Sequence, residues 1–390
     1  MAKRFVSSPA WTRRSLLARA LAVTATKLAW PWSSRGDESR TKPGLIVRSE
    51  RPLDLETPVE ALGGEFTPND LFFVRSHFGP PAVGLGVWSL QVDGLVDRPR
   101  RLGLDDLKKL PRQSVVAVCQ CAGNGRALYR PRVAGVGWEK GAVGQAVWSG
   151  PRLADVLATA GVKVDAKHVH VMGSDAPPNP KTPAFYRSIP LERALHPDTI
   201  VALTMNGAPL PWLHGGPARL VVPGWTANHW IKWLRAIKLD AREADGFFMQ
   251  TAYRMPRDPS LPAAQLTPAD LVPVSDLNVK SLITHPGSGA SLKSGRIEVR
   301  GVAWTGPGVV ERVEVRFGDE PWRAARMIDP AVPHAWRRWS IEIDLDRAGE
   351  VEIASRATDS HGLAQPETTP WNKSGYLWNA IDRVRVNIHA

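Results

Sequence analysis

Two textures of hydrophobic patterning divide the chain. From about residue 46 to 270, short β-rich runs at 87–92 and 115–121 alternate with helix-like stretches at 104–110 and 153–160. Proline and glycine punctuate the whole, and no internal repeat is present. This pattern predicts one large mixed α+β domain. After Pro273 the period changes. Residues 296–304, 311–317, 339–345, 350–356 and 382–388 are alternating runs separated by Gly, Pro and Asp turns, with no helical period among them. Such closely spaced strands predict an immunoglobulin-like β-sandwich over 271–390, with the boundary near residues 268–280.

Ahead of both lies a segment of another kind. Residues 1–40 read as a twin-arginine export signal and spacer: Thr12-Arg13-Arg14-Ser15-Leu16-Leu17 leads into a mildly apolar stretch through Trp32. Arg19 and Lys27 interrupt that stretch and would be costly inside a bilayer. A basic amphipathic helix or a mitochondrial-type presequence is the alternative reading. Residues 33–45, rich in Ser, Gly and charge, are expected to be a flexible spacer. The expected location is the bacterial periplasm.

Composition changes this picture little. The chain has 390 residues, 43% hydrophobic and 23% charged, which excludes a disordered protein. Its net charge is +12, but residues 1–50 hold ten Lys or Arg against three Asp or Glu, so most of the excess belongs to the leader. With no binding motif beside it, the charge does not point to nucleic acid. No run approaches the length of a membrane span, so no membrane anchor is expected. The two cysteines, Cys119 and Cys121, stand too close together to staple a fold.

Those cysteines lie in the run Ser114-Val-Val-Ala-Val-Cys119-Gln-Cys121-Ala-Gly-Asn-Gly-Arg126, a strand closed by a turn. Period two places both on one face, with Cys121 at the strand's exit beside Arg126. A thiolate there suits a soft metal or a nucleophile; small buried hydrophobes are the alternative. Cys-Ala-Gly-Asn-x-Arg resembles the cysteine motif of the sulfite oxidase family. Phe72-Phe73-Val74-Arg75-Ser76-His77 and the segment Gly135 to Val143 around Trp138 resemble two further family segments. Met205-Asn206-Gly207, His214-Gly215-x-Pro217-x-Arg219, Val222-Pro223-Gly224, Trp230-Ile231-Lys232-Trp233 and Tyr253 follow in family order. The likeness continues into the second domain at Arg356 to Asp359, Gln365-Pro366 and Trp371-Asn372 to Asn379, so it covers roughly residues 50–388.

The resemblance implies a molybdopterin-binding catalytic domain at 46–270 and a dimerisation domain at 271–390. It implies molybdenum bound by Cys121 together with a molybdopterin dithiolene, and oxidation of sulfite to sulfate. Arg75 and Arg126 would bind the oxyanion, and Trp138 and Tyr253 would wall the pocket. Phe73, His77, Asp175, His214, Arg219 and Lys232 would hold the pterin and its phosphate, with Gly215-Gly216 allowing close backbone approach. A separate c-type cytochrome is the expected electron acceptor and a homodimer the expected assembly. Taken singly, Arg75 reads as a surface ion pair and Trp138 as a core anchor; their joint occurrence in family order carries the functional reading. No Cys-x-x-Cys-His occurs, and His285-Pro286-Gly287 reads as a turn, so no haem is expected on this chain. Three departures bear on substrate. Gly125 stands where animal members have a second arginine, Ser76 replaces an asparagine, and Lys373 stands where an arginine reaches the pocket. A same-fold molybdoenzyme acting on a sulfane, sulfoxide or nitrate, or an exported binding protein without catalysis, are the alternative functions.

Overall fold

The strand Arg112–Gln120 carries the organisation of the molecule, because it is buried on both faces along most of its length. Its odd positions Val115, Ala117 and Cys119, with Cys121 just beyond, face the core of the first domain. Val118, of the opposite parity, packs with Trp304 and Trp336 of the second. Period two thus gives one strand two cores. The computed structural model describes residues 42–81, 88–258, 261, 265–345 and 348–390. The expected export leader and the first residue of the 87–92 run lie outside the described residues.

Arg112–Gln120 pairs antiparallel with Val143–Pro151, and the short strands Thr204–Met205 and Ala208–Pro209 complete a four-stranded sheet. A five-stranded sheet runs Arg100–Gly103, Ser89–Gly94, Leu234–Asp240, His168–Gly173, Tyr186–Pro190. Within it Leu234–Asp240 is parallel to Ser89–Gly94 and antiparallel to His168–Gly173. The expected helices are present but short, Leu104–Lys109 and Leu153–Ala158. The first carries Asp105 and Asp106 at its start and Lys108 and Lys109 at its end, each complementing the helix dipole. The mixed α+β reading of the first domain therefore holds, with strands predominating.

The second domain is a two-sheet sandwich. Lys280–His285, Gly295–Trp304, Arg337–Leu345 and Arg326–Met327 form one sheet, and five strands including Val310–Phe317, Gly349–Asp359 and Asp382–His389 form the other. Alternate residues Val299 and Ala303, Val313, Val315 and Phe317, and Val384, Val386 and Ile388 meet between the sheets. The outward positions are charged and pair across strands, as in Arg296–Asp344 and Arg385–Glu352. Such exposed pairs contribute little stability; the interior does most of that. His285 ends its strand immediately before a turn, as expected.

The segment around Trp138 is held from a distance. The buried carboxylate of Glu56 accepts the backbone N–H groups of Glu139 (3.1 Å) and Gly141 (2.6 Å) and pairs with Arg48. Asn124, four residues after Gln120, accepts the N–H of Ala142 at 3.1 Å. At Gly141 a β-carbon would lie 1.8 Å from the Thr57 carbonyl oxygen, so only glycine fits. Gly141→Ala is therefore expected to lower stability by about 1–3 kcal/mol or more, the usual range for overpacking. A thermal melt of the variant checks this, and an unchanged midpoint would show that the close approach is not rigid.

Candidate active site

A cleft in the first domain opens where the cysteine strand ends. Phe72, Phe73, Arg75, Ser76 and His77 form one wall, Cys119, Cys121 and Ala122 the floor, and Asp175, His214, Arg219, Lys232 and Tyr253 much of the rest. Nine of the eleven expected site residues thus line a single cavity, although they span residues 73 to 253. Cys121 enters because it leaves the strand end just where the turn at Gly123 begins, its N–H bonded to the Ala142 carbonyl at 2.9 Å. Among the described residues, no three His, Cys, Asp or Glu side chains gather as a metal-binding cluster. A metal here would rest on one protein thiolate and on ligands brought by a cofactor.

Two expectations are displaced. Trp138 is completely buried and does not line the cleft; it stands behind Phe73, ring centroids 6.4 Å apart at 82°. Its indole N–H has no hydrogen-bond partner among the described residues. Arg126 also lies outside the lining. Its guanidinium donates to the carbonyls of Ser374 (2.9 Å) and Val136 (3.2 Å) and lies over the Tyr376 ring. It still acts on the floor: burial pushes the Cys121 thiol pKa up, and the charges of Arg126 and Arg75 oppose that rise.

Arg75 donates to both carboxylate oxygens of Asp54, at 3.2 and 3.3 Å, and to the Ser76 carbonyl at 2.5 Å. Asp54 is buried, and burial raises its pKa against the pull of Arg75. Tyr253 adopts a φ of +54°, uncommon for any residue but glycine. Its hydroxyl lies 2.9 Å from His77 Nε2. His77 stacks on Phe185 at 4.0 Å. Burial, then the charges of Arg75, Lys232 and Arg187, hold the imidazole well below its ordinary pKa of 6.5.

Arg219 is buried, donates to the carbonyls of His214 and Trp230 at 3.0 Å each, and lies over the rings of Trp148 and Trp230. Its Nε has no partner. Lys232 donates to the Leu213 carbonyl at 3.0 Å and lies 4.2 Å from the centre of the Trp233 ring. Burial foremost, then Arg219, brings its pKa down to about 7. Asp175 faces the same space, its carboxyl pKa raised by burial and opposed by Lys232. The glycine after His214 serves the chain itself. At Gly215, with φ +104°, a β-carbon would lie 2.8 Å from Lys232 Cβ, so its close approach is to Lys232 and places that side chain in the cleft.

The sequence reading missed several residues. Lys42, assigned to a flexible spacer, is docked: its ammonium lies 2.6 Å from the Asn69 carbonyl and 2.8 Å from His214 Nε2. The same Nε2 lies 3.2 Å from the Asn69 carbonyl, so Lys42 and His214 converge on one acceptor. Asp54, Arg187, Asn228 and Tyr376 also surround the site. Only Tyr376 fell within a quoted motif segment. The buried side-chain oxygen of the cleft residue Asn228 has no partner. With Arg219 Nε it marks polar demand that an occupant of the cleft would meet. Lys373 is exposed and is not among the lining residues.

Comparison with known proteins agrees with this geometry. Residues 77–248 match the oxidoreductase molybdopterin binding domain and residues 272–389 the Mo-co oxidoreductase dimerisation domain. Mitochondrial sulfite oxidase of Mus musculus is 35% identical over 368 residues, covering 90% of this chain and 67% of that protein. Sulfite oxidase of Arabidopsis thaliana is 34% identical over 382 residues, covering 91% and 97%. Among solved structures, the sulfane dehydrogenase SoxCD from Paracoccus pantotrophus matches with TM-score 0.74, 29% identity and 88% coverage of both chains. Fold and cleft together define a molybdopterin-binding oxidoreductase. The chain belongs to the sulfite oxidase family.

The buried histidines predict a pH dependence of the cofactor-free fold. His77, His214 and His229 all have folded pKa values well below 6.5, chiefly through burial. Below pH 6.5 the unfolded chain binds protons that the folded chain refuses, so stability falls with pH by up to about 1.4 kcal/mol per histidine per pH unit. Asp54 and Asp175, raised above 3.8, act with opposite sign in the window just above that value. Melting temperatures of cofactor-free protein are expected to drop between pH 7 and 5.5, and a flat profile would contradict neutral buried imidazoles.

Proposed function

We propose that this protein oxidises sulfite to sulfate with a molybdenum cofactor and passes the electrons to a separate c-type cytochrome in the bacterial periplasm. Export by the twin-arginine route and assembly as a homodimer through residues 271–390 belong to the same proposal; the match to a dimerisation domain supports the second. One observation carries the reading. Arg219 and Lys232 surround a cavity floored by the Cys121 thiol, and neither has a carboxylate within ion-pair distance among the described residues. Arg219, a desolvated guanidinium, and Lys232, whose protonation a bound anion would favour, make the cavity attractive to anions despite Asp175 on its wall.

Cys121 would ligate the metal through its thiolate. Arg219, Lys232 and His214 would hold the pterin and its phosphate, Asp175 would accept from the pterin's amino edge, and Phe73 and His77 would close the wall. The bound cofactor supplies the oxygen-atom chemistry and accepts two electrons when sulfite and water become sulfate and two protons. The protein's part is position and charge. Arg75, steadied by Asp54, presents guanidinium N–H groups to the oxyanion. Arg126 adds charge behind the cysteine. Tyr253 offers a phenol whose other contact is His77, an imidazole kept neutral that fixes the orientation of the hydroxyl. Because Arg219, Tyr253 and Cys121 are buried, charges among them act more strongly than they would at a surface.

A second reading has its own support. Lys373 is exposed, so the cation that the family resemblance puts in the pocket from the second domain does not reach it. The structural relative SoxCD is a sulfane dehydrogenase, and a sulfane substrate with less charge would need fewer cations.

The deciding experiment is sulfite-dependent reduction of cytochrome c by cofactor-loaded protein. Reduction that saturates with sulfite and yields sulfate is expected; none, with molybdenum bound, while a sulfane substrate is turned over, would favour the second reading. Cys121→Ser is expected to lower turnover at least a hundredfold with an unchanged circular dichroism spectrum, and full activity would remove it from the metal. Arg75→Gln is expected to raise KM for sulfite about tenfold or more, since a charge-assisted hydrogen bond contributes about 1.5–3 kcal/mol. An unchanged KM would take Arg75 out of the anion site.

A further inference from the structure

Tyr253 is held in a stack with no counterpart in the sequence pattern. Its ring lies parallel to that of Tyr376, centroids 5.2 Å apart and planes at 13°. The guanidinium carbon of Arg187 is 5.4 Å from the centre of the Tyr253 ring, and that of Arg126 is 5.4 Å from the centre of the Tyr376 ring. Each ring gives one face to the other ring, so the two guanidiniums take the outer faces. The order is Arg126, Tyr376, Tyr253, Arg187.

The four layers come from four parts of the chain. Arg126 follows the cysteine turn, and Arg187 lies in the strand Tyr186–Pro190. Tyr253 follows the short helix Phe247–Gln250, and Tyr376 belongs to the second domain. Tyr376 is itself pinned, its carbonyl accepting from the Tyr129 hydroxyl at 2.7 Å and its N–H donating to Asn372 at 2.9 Å. The next residue, Leu377, donates its N–H to the Ala122 carbonyl beside Cys121 at 2.9 Å. The second domain thus registers the stack directly against the cleft floor. The left-handed backbone of Tyr253 is what such a stack can over-determine.

Arg187 is the unexplained layer. It is buried, donates to the Phe248 carbonyl, contacts His229 Nε2 at 3.2 Å, and leaves its Nε without a partner among the described residues. No carboxylate pairs with it among the described residues; Glu243, the acid that acts on it, is already paired with Arg254. A guanidinium desolvated without a counter-ion is costly, and its hydrogen bonds and ring contact offset that cost only in part. Its broad contact is the face of Tyr253, whose hydroxyl lies at the cleft.

We propose that Arg187 is a positioning residue for the anionic substrate: through the Tyr253 ring it fixes the phenol's orientation and adds positive charge without touching the substrate. The inference deepens the sulfite reading and rests on it. The test compares cofactor-loaded Arg187→Gln and Arg187→Lys with the parent, measuring KM and kcat for sulfite, molybdenum content, and sulfate affinity by calorimetry. Arg187→Gln is expected to raise KM about tenfold while kcat changes about twofold or less. Arg187→Lys, which keeps the charge, is expected to restore KM to within about threefold of the parent. A KM unchanged in Arg187→Gln at full molybdenum content would overturn the proposal. So would a tenfold rise in both variants, which would make the fork a packing element.

If Arg187→Gln does not fold, Tyr376→Leu opens the stack from the other side. It is expected to raise KM severalfold, and an unchanged value would reduce the stack to packing and end the proposal. A parent enzyme inactive on sulfite would defeat the substrate reading instead. The sulfate affinities of the same variants then decide on Arg187, with the same tenfold loss in Arg187→Gln expected and parental affinity overturning it.

Discussion

Burying positive charge without negative charge is the constraint on which this structure turns. A cation taken out of water costs several kcal/mol even after relaxation. Arg187, Arg219 and Lys232 are all in that position, with carbonyl oxygens and aromatic faces as their partners. The tryptophans beside the cleft acquire a purpose in this light. Trp148, Trp230 and Trp233 fill the core, and they also present negative ring faces to Arg219 and Lys232, which have no carboxylate within ion-pair distance among the described residues. The histidines follow the same logic. A protonated imidazole would add a further buried charge, so His77, His214 and His229 stay neutral. A fold that holds these groups in place is incomplete electrostatically, and an anionic cofactor and substrate would complete it.

The second requirement is that the cleft floor be rigid, and here the two domains cannot be treated separately. The strand that ends at Cys121 shows one face to the cleft and the other to the sandwich. Trp304 donates to Gln120 at 3.0 Å, Val118 donates to the His334 carbonyl at 2.9 Å, and Trp336 donates its backbone N–H to Gln145 at 2.6 Å. Lys280, buried at this junction with its pKa brought down to about 7 by burial, lies over the rings of Trp304 and Trp378. Moving the sandwich would strip one face of the cysteine strand. The domain that resembles a dimerisation module is therefore also a structural wall of the catalytic one.

Much of this was legible in the sequence, for identifiable reasons. Alternation over 115–121 required a strand with both cysteines on one face, and both line the cleft. Motif residues spaced far apart converged because each belongs to a strand end or tight turn whose local chemistry is self-contained, as with Asn124 capping Ala142. Illegible were the contacts made by residues with no local signature. Asp54 lies in a four-residue strand, and nothing in Leu53–Glu56 says that its partner is Arg75. Lys42 stands in a stretch whose composition resembles a linker, yet its ammonium reaches a residue 172 positions away. Arg187 is one arginine among many until the sheet brings it under Tyr253. Periodicity and turn chemistry are local; the pairing of buried charge is not.

Arg75 and Trp138 show how the plain and the functional readings of a residue coincide. Arg75 does form an ion pair, and Trp138 is a core anchor. Arg75 nonetheless lines the cleft, and Trp138 packs behind its wall. An arginine that presents its fork in a fixed orientation needs its long side chain immobilised beforehand. A buried carboxylate does this while leaving part of the planar fork free. Trp138 stands one layer back, packed edge-on against Phe73, and so fixes the wall that Phe73 presents. Glu56 in turn fixes the segment bearing Trp138 through the N–H groups of Glu139 and Gly141. Arg75 and Phe73 of the cleft wall are thus each held by a group behind them, Asp54 and Trp138.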